Sequence, residues 1–307
     1  MMRTPLLAIV FVAGCGISPD DELDFETAES AVTSCPANTW CTEPAPAGTG
    51  LLYSVHAVDD DVAFAVGDNG KIIHRAGGVW AAATSGTTKH LRGVWAASAT
   101  DAWAVGLNGA VLRWNGTSWS QHPSAPVRDY GGVWGAAAND VWLIAGSSAL
   151  RWDGSTWTTK NLTGGLLDIS GASATSVWIT GEQAYVRRHS GGTTWTTLQP
   201  GAGVSYRAIE ARTPTDVWVS APTAGTRRFN GSTWTTHTTG SYIFNSIHAP
   251  AASLAWGAAT SGRVGQWNGT AWTVSQVPGV SSTLWDVHGA AGHVYVVGSN
   301  GTILHRY

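Results

Sequence analysis

Charge is scarce in this sequence. Only 12% of its 307 residues are Asp, Glu, Lys or Arg, and the formal net charge is −3. Setting aside Arg3 and the six acids of residues 18–29 (Asp20, Asp21, Glu22, Asp24, Glu26 and Glu29), 16 basic residues face 14 acidic ones. So neutral a chain has no electrostatic footprint for DNA or RNA, and no nucleic-acid partner is expected. Helical periodicity is missing after the N-terminus. The apolar run Leu6–Gly14 is too short to cross a bilayer as a helix. There is no HExxH, no GxSxG and no P-loop. Glutamate in residues 36–307 is confined to Glu43, Glu182 and Glu210, and no two acids stand out as a glycosidase couple. No enzyme activity and no cofactor are expected.

What the chain has is 38 Gly and 18 Trp, a composition of tight turns and β-strands rather than of disorder. Residues 91–119, LRGVWAASATDAWAVGLNGAVLRWNGTSW, hold four short runs rich in Val, Trp and Leu, separated by turn residues. The Asn115-Gly116 pair reads as a two-residue hairpin turn. The unit recurs. A Trp opens the fourth run at Trp40, Trp80, Trp119, Trp157, Trp195, Trp234 and Trp272. An aromatic marks the second run at Phe64, Trp103, Trp142, Trp178, Trp218, Trp256 and Tyr295. A β-branched residue marks the first at Val55, Val94, Val133, Ile169, Ile209, Ile247 and Val287. A four-stranded unit repeated seven times at a period near 40 predicts an all-β, seven-bladed propeller of antiparallel blades.

The ends predict how the ring closes. The last repeat, 283–307, has three runs and stops, whereas Asn38-Thr39-Trp40 has the fourth-run pattern with no strands before it. Residues near 38–44 are therefore expected to be the outer strand of the last blade. The predicted organisation is a leader at 1–14, an acidic, unstructured tether at 15–34 and one propeller at 35–307.

The leader ends in Val12-Ala13-Gly14-Cys15. This resembles the lipobox of bacterial lipoproteins, which implies diacylation of Cys15 and a lipid anchor on an extracytoplasmic face of the bacterial envelope. In such an oxidising compartment Cys35 and Cys41 are expected to form a disulfide, closing a small loop around Asn38. Two cysteines with no clustered partner make a poor zinc site.

The turns between third and fourth runs read RWNGTSW, RWDGSTW, HSGGTTW, RFNGSTW and QWNGTAW. They resemble degenerate Asp-boxes of the bacterial neuraminidase repeat superfamily, and with VWxxxxxDVWAVG they look like the repeats of bacterial BNR-like and WD40-like propeller lipoproteins. That resemblance implies the fold. Asp-boxes lie on the outer rim of such propellers, so it implies no chemistry. The neuraminidase arginine triad and Tyr–Glu pair cannot be placed. The repeated fourth-run Trp reads as packing between blades rather than as a sugar platform. Asp101, Asp140 and Asp216 read as structural carboxylates accepting backbone N–H groups in the preceding turn. The sequons at Asn115, Asn230, Asn268 and Asn300 read as hairpin turns.

One constellation breaks the symmetry. The residue after the first-run marker is His56, Trp95, Trp134, Ser170, Glu210, His248 and His288 around the ring. First strands line the channel, so Glu210, His248, His288 and His56 form an arc at one height. Three histidines and a carboxylate are zinc-type ligands, to be weighed against a hydrated channel wall. The expected function is a monomeric, non-catalytic, envelope-anchored scaffold that binds an envelope protein or a glycan. A lectin and a degenerate neuraminidase- or glycosidase-like hydrolase are the alternatives, and a photosystem-assembly-type propeller is a third. The loops 122–132 and 273–286 share one face with the second-to-third turns, and ligand is expected there or at the channel mouth.

Overall fold

A computed structural model describes residues 35–201, 204–222 and 225–307. Cys15 and the tether at 15–34 lie outside the described residues. Seven four-stranded antiparallel sheets follow one another in a ring, each a simple meander from channel to rim. Their innermost strands are Leu52–Ala57, Leu91–Ser98, Gly132–Ala137, Leu166–Ser173, Ala208–Thr213, Phe244–Ala251 and Leu284–Ala290. We number the blades 1 to 7 in that order.

Blade 7 is closed by the N-terminal segment. The strand Cys41–Thr42 pairs antiparallel with Ile303–Arg306, with Cys41 opposite His305. Asn38 N–H donates to Tyr307 O at 2.8 Å and Glu43 N–H to Ile303 O at 2.9 Å, which extends the ladder at both ends. Cys35 and Cys41 form a disulfide with a Cα–Cα distance of 5.8 Å. Glu43 is tied into the seam between blades 7 and 1. It accepts from Trp80 Nε1 at 2.6 Å and contacts His305 Nδ1 at 2.9 Å and Arg75 Nε at 3.5 Å.

Each blade buries its aromatic marker against the next. The fourth-strand indole stands edge-on to the second-strand aromatic of the preceding blade in six seams. The pairs are Trp80–Tyr295, Trp119–Phe64, Trp157–Trp103, Trp195–Trp142, Trp272–Trp218 and Trp40–Trp256. Their centroids lie 5.3–6.0 Å apart at interplanar angles of 81–88°. In the seventh seam Trp234 packs against the cluster holding Trp178. This edge-to-face geometry suits the ring quadrupoles. It leaves these indoles in the seams and not available as a sugar platform. That Trp40 occupies the same place on Trp256 shows the N-terminal segment filling the missing position of blade 7.

Two local expectations are corrected. Asp101, Asp140 and Asp216 do not cap the preceding turn. They take paired hydrogen bonds from Arg113, Arg151 and Arg228 on the third strand at 2.7–3.0 Å. Each guanidinium then lies 4.9–5.2 Å from the centroid of the intervening indole, Trp103, Trp142 or Trp218. Cross-strand geometry places the arginine directly beside the carboxylate, and a charge-assisted pair outcompetes a neutral amide. Asn300 and Gly301 both have positive φ, at 59° and 67°, but the Asn-Gly turns between third and fourth strands differ. Positive φ falls on Gly116 alone, at 93°. Asn115 instead accepts through Oδ1 from Thr117 N, Thr117 Oγ1 and Ser118 N at 2.8–3.0 Å. Asn230, Asn268 and Asp153 repeat the arrangement. These donors hold the Asp153 carboxyl far below the usual carboxylate range.

Candidate functional site

A strand that alternates strictly cannot bury residues three apart on one face. Yet Leu52 and Val55 are both buried, as are Leu91 and Val94, Leu166 and Ile169, Phe244 and Ile247, and Leu284 and Val287. The register slips by one residue between them in all five blades. The extra residues are Tyr53, Arg92, Leu167, Asn245 and Trp285. A bulge of this kind re-aims a side chain. With Arg207 these five line a depression of about 570 Å³ at the channel mouth. It lies where first strands begin, on the face carrying the second-to-third turns. Tyr53 and Trp285 form a tilted pair, centroids 6.1 Å apart, and Arg92 lies 4.4 Å from the Tyr53 centroid. Arg207 Nη1 donates to Asn245 Oδ1 at 3.1 Å, and Asn245 Nδ2 to Leu284 O at 2.8 Å.

Below the mouth lie two tiers of first-strand residues, an upper one, called the neck, and a lower one. The residue before the first-strand marker supplies the neck in six blades, as Ser54, Gly93, Gly132, Asp168, Ser246 and Asp286, while its counterpart Ala208 is buried in the core. The residue after it supplies the lower tier already identified from the sequence. First strands are edge strands, so their channel-facing N–H groups lack a ladder partner. Polar side chains from the preceding blade take that role. Asp168 Oδ2 accepts from Ile209 N at 2.8 Å and Asp286 Oδ2 from Val55 N at 2.8 Å. Ser54 and Ser246 accept from Val94 N and Val287 N at 3.3 and 3.4 Å. One tier down, Ser170 accepts from Ala211 N at 3.0 Å, Glu210 from Ala249 N at 3.4 Å and His288 Nδ1 from Ala57 N at 3.1 Å. Glu210 and His288, two members of the apparent ligand set, therefore also latch one blade to the next.

Trp95 and Trp134 cannot accept. Instead their rings press on Gly135 and Gly171, the next blade's corresponding backbone. A Cβ at either glycine would fall 2.5–2.6 Å from ring carbons.

The predicted arc is contiguous. Ser170 Oγ donates to Glu210 Oε2 at 3.1 Å, and Glu210 Oε1 is 3.3 Å from His248 Nδ1. The His248 ring lies 4.6 Å from that of His288, which stacks on His56 at 4.0 Å. The His56 and His288 rings are stacked at 27°, and the His248 ring is tilted by 40° to His288. Among the described residues no three His, Cys, Asp or Glu are arranged to hold a metal ion. The Ala57 N–H also occupies the Nδ1 lone pair of His288, leaving the ring proton on Nε2. Ligation through Nε2 would require giving up that latch.

The electrostatics are set by burial. It drives His56 down to about 3 and His288 well below the ordinary imidazole value, and the neighbouring imidazoles push the same way. Burial also raises Asp168 to about 7, against the pull of the Ile209 and Ile169 amides, with Asp286 and Glu210 adding repulsion. Asp286 is raised by burial too, opposed by the Ser246 hydroxyl and the Val55 amide. All four residues nonetheless keep part of their surface exposed. Asp168 and Asp286 are the residues that the sequence reading missed. The buried pair three apart, Leu166 with Ile169 and Leu284 with Val287, was the available signal.

No known protein family matches the chain, and no curated protein matches it in sequence. Solved structures do resemble it in fold. YCF48 bound to D1 peptide superposes with a TM-score of 0.74 at 16% identity, covering 89% of this chain and 98% of that one. YCF48 from Cyanidioschyzon merolae gives 0.73 at 16%, covering 88% and 99%. Virginiamycin B lyase from Staphylococcus aureus gives 0.75 at 12%, covering 87% and 98%. At such identities the likeness establishes the seven-bladed propeller and nothing finer.

Proposed function

We propose that the chain is a non-catalytic, envelope-anchored propeller that binds an extended segment of a partner protein at its channel mouth. The observation that carries this is the 570 Å³ depression and its lining. Five bulges spend ladder regularity to present Tyr53, Arg92, Leu167, Asn245 and Trp285 upward. An aromatic shelf beside guanidinium groups is the composition of a binding hot spot. YCF48, a propeller of similar fold, is seen with a bound peptide. A non-catalytic role is favoured because the channel carboxylates already serve as latches between blades. The lipobox-like VAGC at 12–15 supports the anchor.

A glycan is the second reading, since the Tyr53–Trp285 shelf also offers ring faces. Peptide and glycan arrays probed in parallel test both. Peptide binding that falls at least tenfold in Trp285→Ala and Arg92→Ala is the expected result. Glycan binding alone replaces the first reading with the second. Binding unchanged in both variants moves the site off the mouth.

A further inference from the structure

We infer that a second binding site lies on the face opposite the mouth, a pocket between blades 6 and 7 that takes a small carboxylic acid with an apolar body. It is independent of the mouth. Departures from the repeat mark it. In blades 2, 3 and 5 a third-strand guanidinium covers the second-strand indole and is held by an aspartate, as Arg113 with Asp101, Arg151 with Asp140 and Arg228 with Asp216. In blade 6 Gln266 stands opposite Trp256 in that register, and Leu254 takes the place of the aspartate. Blade 7 departs as well. Trp152 and Trp267 pack from their third strands on Trp103 and Trp218 of the preceding blade, with centroids 6.5 and 5.1 Å apart. The corresponding residue of blade 7 is Arg306, 4.9 Å from the Trp256 centroid. Where those seams hold an ion pair and a second indole, this one has a cavity of about 220 Å³. Pro250, Leu254, Trp256, Ala290 and Val294 give it apolar walls. It is smaller than the roughly 300–1,000 Å³ of drug-sized sites, so its ligand is small.

Arg306 and His293 also line this cavity, and they give it its chemistry. Arg306 directs Nη1 and Nη2 to Asn38 O and Oδ1, which are neutral acceptors. Among the described residues no carboxylate pairs with it, and its fork has donors to spare. His293 Nδ1 lies 2.8 Å from His305 Nε2, and His305 Nδ1 lies 2.9 Å from Glu43 Oε1. An ionised carboxylate only accepts, so His305 carries its proton on Nδ1 and offers Nε2. His293 then donates through Nδ1 and keeps its lone pair on Nε2. A carboxylate entering the cavity accepts from Arg306, and a proton drawn from solvent bridges it to His293 Nε2. The relay through His305 leads the resulting charge toward Glu43. Burial and His305 hold His293 below the ordinary imidazole value, with Arg75 acting in the same sense and Asp60 and Glu43 against it. Arg306 and the Tyr307 ring, 5.5 Å from that of His293, complete its surroundings. His293 is therefore neutral in the free protein at pH 7, and binding takes up about one proton.

The probes are phenylacetate, phenylacetamide and acetate, titrated into the intact protein by NMR and calorimetry. Phenylacetate is expected to bind saturably and to shift the Trp256 indole resonances. The amide, which lacks the charge, and acetate, which lacks the body, are each expected to bind at least about tenfold more weakly. Affinity for phenylacetate is expected to rise as pH falls from about 8 to about 6, and His293→Gln to lose that dependence. Leu254→Asp with Gln266→Arg rebuilds the ion pair of blades 2, 3 and 5. This variant is expected to keep its fold by circular dichroism and melting, and to lose phenylacetate binding. Equal binding of phenylacetate and phenylacetamide, no saturable binding of phenylacetate by the parent protein, or undiminished binding by the folded double variant overturns the inference. So does an affinity that rises with pH, or a pH dependence that survives in His293→Gln.

Discussion

The indole of Trp95 lies against the backbone of Gly135, one blade further on. A Cβ at Gly135 would meet its Cη2 at 2.5 Å. Trp134 bears the same relation to Gly171. Where a blade offers the channel a Trp instead of an acceptor, its successor answers with glycine. Gly135→Ala is expected to cost about 1–3 kcal/mol, as for an overpacked site. Adding Trp95→Leu should recover much of that. A double-mutant cycle by chemical denaturation measures the coupling, and strictly additive effects would contradict the contact.

The pH dependence of stability isolates Asp168. Its folded pKa, about 7, lies above the ordinary carboxylate value. A raised folded pKa contributes stability that is fully present below the unfolded value and lost as pH rises through the folded one. Wild type minus Asp168→Asn stability is therefore expected to fall between about pH 4 and pH 7. His56 and His288 act in the opposite sense. Their folded values are depressed. Their contribution is present above the unfolded imidazole value near 6.5 and is lost on acidification. Melting curves of both proteins from pH 4 to 8 separate the two, because the histidine contribution cancels in the difference.

His288 is a latch before it is anything else. His288→Ala removes the acceptor of the Ala57 N–H, and the expected cost is about 1–3 kcal/mol, as for an orphaned buried donor. Metal content after purification without chelator is expected to match that of wild type. A metal present in wild type and in His122→Ala, and missing only in His288→Ala, would establish a site in the arc.

Closure of the ring is testable at its staple. Cys35→Ser with Cys41→Ser is expected to cost about 2 kcal/mol, as for a short closed loop. Deleting residues 36–47 should cost far more, because it strips Trp40 from Trp256 and leaves an open edge on blade 7. Unchanged melting of the deletion variant would refute the strand assignment.

Cys15→Ser tests the anchor. The variant is expected in the soluble fraction of cells and the parent protein in membranes. Intact-mass analysis that finds an unmodified thiol at Cys15 in the mature parent would count against lipidation.

The seven repeats were legible because three markers recur with one spacing, and each marker occupies a seam or a core. Trp40 revealed the closing strand for the same reason. The lower channel tier was legible because it directly follows a marker. Its purpose was not, because the partner of His288 or Ser170 is a backbone amide some 40 residues or a whole ring away. Asp168 and Asp286 escaped notice because a bulge breaks the alternation on which the reading depended. The arginine partners of Asp101, Asp140 and Asp216 were hidden in cross-strand register, which a linear pattern does not display.

Residue 41 pairs with residue 305. The contact joins almost the first described residue to almost the last, so loop closure over most of the chain must precede it. During synthesis blades 1 to 6 have all their own strands before blade 7 has any but its outermost one. The ring can zip blade by blade, but its seam stays open until the final residues emerge. A chaperone or a translocation channel that releases the chain N-terminus first must then leave that segment unpaired. The earliest strand made is the last to find its place.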